Sequence, residues 1–365
     1  MTQLFEPLEL RDVTVPNRVW MAPMCQYSAP AEGPTANNED VGVPGEWHFQ
    51  HLASRAAGGA GLILTEATSV VPEGRISPWD LGIWNDRQAE AFRRITSFLR
   101  ELGTVPGIQL AHAGRKASTH RPWEGGSGSL AADHPLAWRS VAPSAVPFGS
   151  LTAPDELTVD QIGVVVRRFA EAAERALAAG FQVVEVHGAH GYLVHEFLSP
   201  FSNKRTDAYG GPVENRMRFA LEVAEAVRAV WPEHLPVFFR VSATDWLDEG
   251  GWAGDDTVLL AKELQSRGID LLDVSTGGNV PDGSRIPVEP GYQVPFAARV
   301  RNETGLATAA VGLITDPHQA EQIVASGQAD AVLLGRELLR DPYWARHAAS
   351  ALGHELPKLN QYARS

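Results

Sequence analysis

The chain has 365 residues, 44% of them hydrophobic and 21% charged, with a formal net charge of -13; this is an ordinary globular composition, and the negative balance argues against a nucleic-acid or anionic-membrane surface. The single cysteine, Cys25, excludes an intrachain disulfide and any cysteine-rich zinc or iron–sulfur site, and it fits a reducing cytoplasm. The opening MTQLFEPLELRD is acidic and lacks an apolar core, so it does not read as a signal peptide, and no stretch approaches the roughly 20 apolar residues of a bilayer span.

Short apolar runs alternate with helical patterns along the chain. A strand is expected at 18–25 (RVWMAPMC), followed by a helix in PGEWHFQHLASRAAGG, which ends at a glycine pair. The run GLILTEA at 61–67 comes next, then a helix opened by an Asn85 cap and closed at Gly103. GIQLAH at 107–112 is the third strand. A helix capped by Thr158 runs to Gly180 and leads into QVVEVHG at 182–188. ENRMRFALEVAEAVRAVW precedes VFFRVS at 237–242, and GDDTVLLAKELQSRG precedes DLLDVS at 270–275. PGYQVPFAARVRNETG, LATAAVG at 306–312, TDPHQAEQIVASG, DAVLLG at 330–335 and a final helical stretch DPYWARHAASALG complete the pattern. The strands are rich in Val, Ile and Leu with little alternation, as strands buried on both faces are.

Eight strand–helix units with no break in composition predict an α/β fold built on a parallel sheet: a (β/α)8 TIM barrel, with a doubly wound open sheet as the alternative. Residues 1–365 are expected to form one domain. Two long insertions, 28–46 after strand one and 115–156 after strand three, would lie at the C-terminal mouth, where barrel enzymes hold their chemistry. Trp123, Trp138 and Pro143 suggest that the second is a packed lid.

The strand ends carry Cys25, Glu66, Ala67, Gln109, His112, His187, His190, Arg240, Ser275, Thr276, Gly277, Gly312, Gly335 and Arg336. Gly312 and Gly335 end strands seven and eight, the usual phosphate site of barrels, and Arg336 adds charge there. Arg240 lies inside an apolar run and needs a partner. A carboxylate such as Asp245 and an electron-rich ligand both remain open. Gln109 offers a donor and an acceptor that suit a heterocycle edge, or a satisfied core amide. His187 and His190, in EVHGAHGYL, read as a metal pair, as paired donors to one oxygen, or as structural histidines; H-x-x-H at a strand exit lacks the third ligand that a zinc site needs.

Longer motifs add a resemblance. APMCQYS, GIQLAHAGRKA, EVHGAHGYLVHEFLSPFSNKRTDAYGGPVENR, FRVSATD and LGRELLRDP resemble the Old Yellow Enzyme family of FMN-dependent ene reductases (NADH:flavin oxidoreductases) from residue 4 nearly to the C-terminus. The likeness is to its thermophilic-like bacterial branch, which includes the bacillary NADPH dehydrogenase and xenobiotic reductase A. It implies a barrel with FMN over the C-terminal mouth, held without a covalent bond. Ala22, Pro23, Met24, Cys25, Ala67 and Gln109 would line the flavin, with Arg240 near its N1 region. Val311, Gly312, Gly335 and Arg336 would hold the phosphate. Cys25 and Tyr27 would touch substrate. No metal is implied.

The implied reaction is a hydride relay from NADPH, or NADH, through FMN to the β-carbon of an α,β-unsaturated carbonyl or nitro compound. His187 and His190 would hold the substrate oxygen, and Tyr192 would supply the α-proton. Arg364, near the C-terminus, matches an arginine that in this branch reaches a neighbouring protomer, so a tail at about 353–365 is expected to be shared in a homodimer or homotetramer. The long 28–46 insertion and the 119–145 region depart from the bacillary pattern. Small-molecule substrates, no nucleic acid, no membrane and a cytoplasmic location complete the expectation. A non-redox lyase or isomerase on phosphosugars is the alternative, although no lysine occupies a strand end for a Schiff base. A zinc hydrolase and a non-enzymatic binding module rank behind it.

Overall fold

The computed structural model describes residues 2–31, 38–124 and 128–364, so parts of both predicted insertions lie outside the described residues. Eight parallel strands close into a barrel in sequential order. They are β1 (Val19–Met21), β2 (Leu62–Ser69), β3 (Val105–Ala111), β4 (Val183–Gly188), β5 (Val237–Ser242), β6 (Leu271–Ser275), β7 (Ala307–Ala310) and β8 (Ala331–Leu334). The fold is therefore the (β/α)8 barrel, and the open-sheet alternative is excluded by the β8–β1 pairing, which sets Val332 beside Val19.

The helices are α1 (Glu46–Ala57), α2 (Asp86–Glu101), α3 (Val159–Ala178), α4 (Leu193–Leu198), α5 (Val213–Val230), α6 (Gly254–Ser266), α7 (Val294–Thr304), α8 (Pro317–Ala325), α9 (Arg336–Arg340) and α10 (Trp344–Ala351). Their starts follow local chemistry. The Asn85 side chain accepts the Gln88 N–H at 2.9 Å, and the Thr158 hydroxyl accepts that of Gln161 at 3.3 Å, which satisfies donors that an α-helix leaves open. Among the described residues no helix is long and apolar enough to cross a membrane.

Inside the barrel, burial is graded along the strands. Near their starts Trp20 stacks on Phe238, with ring centroids 5.8 Å apart, and this apolar layer closes the interior. Two residues beyond Phe238, on the same face of β5, stands Arg240, and β3, β4 and β6 also turn polar inward at this level. Gln109, Glu185, Arg240 and Asp273 meet there, under the C-terminal mouth.

Boundaries differ from the sequence reading where local chemistry overrides hydrophobicity. The first strand pairs only over 19–21. Pro23 has no N–H to give a ladder, and residues 22–25 instead cross the mouth. A hairpin of Leu8–Leu10 with Val13–Val15 was missed; it packs where the strands begin, and Arg11 binds Asp270 there. Helices α4 and α9 were also missed, since six and five residues carry too little periodicity. In the second insertion, Trp138 packs over Arg75 and donates to the Glu73 carbonyl at 2.8 Å, while Trp123 is 61% exposed. The expected packed lid is thus anchored by Trp138, while the exposed Trp123 meets the Tyr27 ring edge-on, with centroids 5.9 Å apart.

Candidate active site

Several strand ends converge on a cavity of about 400 Å³ at the C-terminal mouth. It is lined by Ala22, Pro23, Met24, Cys25 and Tyr27 from the segment after β1, by Ala67 and Gln109 from β2 and β3, and by His187, His190 and Tyr192 from the end of β4. Arg240, Val311, Gly335 and Arg336 complete the predicted set, and Leu339 of α9 joins them. A larger space of about 790 Å³ lies at the opposite end, between the C-terminal tail and the ends where β1 to β3 begin. We place the chemistry in the smaller one, because barrel enzymes work at the C-terminal ends of their strands.

Two predicted site residues stand elsewhere. Gly312 is not among the residues that line the cavity, although its neighbour Val311 is; its φ is +127, and an added Cβ would meet Gln293 Nε2 at 2.9 Å. Arg364 is exposed in the tail and is not among the residues that line this chain's own cavity.

The floor is a buried charge network. Arg240 Nε lies 2.8 Å from Asp273 Oδ2, with both side chains buried, so the partner is Asp273. Asp245 is not the partner; it faces His195 at 3.1 Å and accepts the Ser199 hydroxyl. Register explains this, since Arg240 and Asp273 are paired positions on β5 and β6. Gln109 donates through Nε2 to Glu185 Oε1 at 2.8 Å, which leaves the Gln109 Oε1 for a ligand. Burial and the neighbouring Asp273 push the Glu185 carboxyl up to about 8, although Arg240 pulls the other way. Burial likewise raises Asp273, to about 6. Burial thus favours the protonated form of Glu185, with the Arg240 charge opposing it.

The wall is built by the loop after β4. His187 faces inward with ring centroids 5.2 Å from His190 and 5.1 Å from Tyr192. Its Nδ1 is buried without a hydrogen-bond partner among the described residues. His190 is left-handed, at φ +58, and is fixed on three sides: its N–H donates to Ser242 Oγ at 2.9 Å, its Nε2 lies 2.8 Å from Ser275 Oγ, and its carbonyl accepts from Lys116 Nζ at 2.8 Å. Burial, with Arg240 nearby, lowers both imidazoles well below their ordinary pKa, so both are neutral at pH 7. Burial raises Tyr192, Cys25 and Tyr27 well above their ordinary values, so all three stay protonated. Tyr27 is also left-handed, at φ +50.

His112 stays out of this wall. It is buried, its Nδ1 accepts the Gly114 N–H at 3.1 Å, and burial lowers its pKa to about 4. Among the described residues no three His, Cys, Asp or Glu side chains converge as a metal site would need. Lys116, Ser275 and Glu185 carry roles that sequence reasoning missed. Lys116 and Ser275 stood in view beside recognised motifs, but only the fold shows that they brace His190.

A profile of the NADH:flavin oxidoreductase / NADH oxidase family matches residues 3–355. The chain belongs to this family, the Old Yellow Enzyme family. It is 47% identical to an NADPH dehydrogenase of Listeria innocua over 366 residues, covering 100% of this chain and 99% of that one. Against an NADPH dehydrogenase of a Geobacillus species the identity is 46%, covering 100% and 98%. Among solved structures, morphinone reductase superposes with a TM-score of 0.76 at 30% identity, covering 97% of this chain and 90% of that chain. The old yellow enzyme homologue from Zymomonas mobilis gives 0.77 at 27%, covering 98% and 95%. The protein is an NAD(P)H-dependent flavin oxidoreductase with FMN as its cofactor. The lining fits such a group: the Gln109 amide and the Arg240 guanidinium offer polar contacts to a heteroatom-rich ring, and the small side chains of Ala22 and Ala67 line the same cavity.

Proposed function

We propose that the protein is an ene reductase acting on α,β-unsaturated carbonyl or nitro compounds. The observation that carries this is the convergence of two neutral histidines and a protonated tyrosine on one cavity with Gln109 and Arg240. Ala22, Pro23, Met24, Cys25, Ala67, Gln109 and Arg240, with Val311, Gly335 and Arg336, would hold FMN, which when bound would supply the hydride chemistry with NADPH as reductant. Gly312 supports the phosphate end only through the backbone beside Val311.

His187 and His190 each donate one N–H to the substrate oxygen. Neutral imidazoles suffice, because a preorganised donor in a site shielded from water stabilises negative charge as it develops on that oxygen. Withdrawing charge makes the β-carbon electrophilic. Tyr192 holds its proton until the α-carbon becomes basic and then releases it there. Cys25 and Tyr27 shape the substrate's side of the cavity. Residues 1–365 act as one domain without a metal. The tail at about 353–365 serves a neighbouring protomer through Arg364 in a homodimer or homotetramer. The enzyme works in the cytoplasm on small molecules, without nucleic acid or membrane.

The purified protein should show a flavin absorbance band that NADPH bleaches anaerobically and an enone restores. His187→Ala combined with His190→Ala should keep the band and weaken phenol and enone binding by roughly tenfold or more, as loss of two hydrogen bonds implies. Unchanged phenol affinity would sink the assignment. Deleting residues 362–364 with the last residue should change enone kinetics, and unaltered kinetics would remove Arg364 from the site.

A further inference from the structure

Asp80 is a buried carboxyl to which the reaction above gives no role. It is 2% exposed, in the turn that follows β2. Its Oδ2 accepts the Ile76 N–H at 2.7 Å and its Oδ1 accepts the Ser77 hydroxyl at 2.7 Å. Beside it is a small cavity of about 10 Å³, lined by Asp80, Tyr192, Ser69, Arg75, Ala67 and Ala111, among others. A space of that size is what a single water occupies, and a carboxyl, a phenol and a serine hydroxyl supply the polar partners that such a water requires. The cavity thus joins the proposed proton donor to a second acidic group.

We propose that Asp80 returns a proton to Tyr192 through one water held in this cavity. The proposal rests on the reading of Tyr192 as the proton donor. When the Tyr192 O–H bond breaks, its proton forms the new C–H bond with the electron pair of the substrate enolate, leaving a phenolate. The water then gives a proton to the phenolate oxygen and takes one from the Asp80 carboxyl. Asp80 is left as a carboxylate and recovers a proton from solvent before the next cycle.

The surroundings make this restoration necessary. Burial already raises Tyr192 well above the ordinary phenol range, and Cys25 and Asp80 add to it, so a lasting phenolate there is costly. Lys116, whose Nζ is 5.2 Å from the Tyr192 ring centroid, is the nearby cation, but it donates to the carbonyls of His190 and Gly278. Burial and Glu66 raise Asp80, against its hydrogen bonds from Ser77 and Ile76, to about 7. Arg75, which faces the same cavity, donates to the Pro72 and Pro78 carbonyls and lies over Trp84 and Trp138, and its charge also interacts with Asp80, which favours release of the Asp80 proton. Asp80 therefore holds and releases a proton near neutrality.

The test compares steady-state turnover at saturating NADPH and enone with a single anaerobic reoxidation of the NADPH-reduced holoenzyme, in Asp80→Asn, Tyr192→Phe and the double variant. Asp80→Asn should slow turnover roughly tenfold while leaving the single reoxidation within about twofold, and should change turnover less than about twofold when Tyr192 is already Phe. The parent turnover rate should fall as pH rises through about 7, and Asp80→Asn should remove that inflection. In the flavin-free protein the protonated-carboxyl infrared signal titrating in this range should lose one carboxyl's share in Asp80→Asn, while the shares of Glu185, Glu196 and Asp273 remain. A slow Tyr192→Phe with an Asp80→Asn of parental turnover and pH profile overturns the relay and leaves the Tyr192 reading intact. A Tyr192→Phe that reoxidises at the parental rate overturns both. Should Asp80→Asn fail to fold, the dependence of the parent turnover rate on D2O fraction replaces it: a bowed curve supports several protons in flight, and a straight line overturns the relay.

Discussion

At the residue scale, the 2.8 Å contact between His190 Nε2 and Ser275 Oγ controls what His190 can do. A neutral imidazole carries one N–H. With that proton on Nε2, the remaining Nδ1 only accepts, and His190 could not hold a carbonyl oxygen. With the Ser275 hydroxyl donating into Nε2, the proton sits on Nδ1 and is free to be donated. The competing acceptor for Ser275 is Gln293 Oε1, which is further away at 3.2 Å and already takes the Thr276 hydroxyl at 2.7 Å. Ser275→Ala should therefore raise the dissociation constant of a phenol several-fold, about 1 kcal/mol, with FMN still bound. An absorbance titration of the flavin band checks it, and an unchanged constant means that Ser275 does not set the tautomer. His187 and His190 stood out in the sequence as polar residues at the exit of an apolar run and Arg240 as a charge inside one, while Gln109 and Tyr192 drew their expected roles from the longer motifs that carry the resemblance. Ser275 was visible only as one more polar strand end, since a tautomer depends on a neighbour from another strand. The same limit applies to Arg240, whose carboxylate came from the adjacent strand and not from nearby in sequence.

At the element scale, the loops after β4 and β6 are locked together by glycines. Gly191 and Gly278 are both left-handed, at φ +69 and +87. A Cβ on Gly191 would lie 2.3 Å from the Gly278 carbonyl oxygen, and one on Gly278 would lie 2.7 Å from His190 Cα. Lys116 then fastens the two loops by donating to the His190 and Gly278 carbonyls, each at 2.8 Å. Gly278→Ala must push the His190 backbone away and adopt a conformation that costs an L-residue about 1–2 kcal/mol. Its melting temperature should fall by several degrees, and phenol affinity should drop while FMN stays bound, because Gln109 and Arg240 stand on strands that this loop does not move. Loss of FMN with intact phenol binding would contradict that division. Helix starts in this fold were readable, because Asn85 and Thr158 announce their caps in sequence. The loop lock was not, because a glycine reveals freedom of backbone without revealing which loop approaches it.

At the scale of the whole molecule, eight buried apolar runs separated by capped helices made a parallel α/β fold legible, while closure into a barrel rather than an open sheet rests on the β8–β1 pairing. What sequence hides is how many acids the closed barrel then encloses. Asp80, Glu185, Glu196 and Asp273 are all buried and all raised by that burial. Glu196 is the simplest to isolate: it lies on α4, outside the cavity lining, and its Oε1 accepts the Arg115 N–H at 2.8 Å. Burial raises it to about 8, against the pull of Arg115 and Lys116. Its folded pKa thus exceeds its unfolded value of about 4.3. The folded chain holds this proton more tightly than the unfolded chain does, so folding is favoured at low pH and loses up to about 1.4 kcal/mol per pH unit as pH rises through that window. Above about 8 both states are ionised and the loss stops growing. The buried histidines act in the opposite direction: their lowered pKa values cost stability as pH falls below about 6.5. The parent curve therefore mixes both effects, and the useful quantity is the difference between parent and Glu196→Gln. A glutamine keeps an acceptor for the Arg115 N–H and cannot ionise. The stability of the parent relative to Glu196→Gln, from urea unfolding at each pH, should decline from pH 5 to about pH 8 and then level. A difference that does not vary with pH would mean that Glu196 is already ionised inside the fold, with Arg115 and Lys116 outweighing burial.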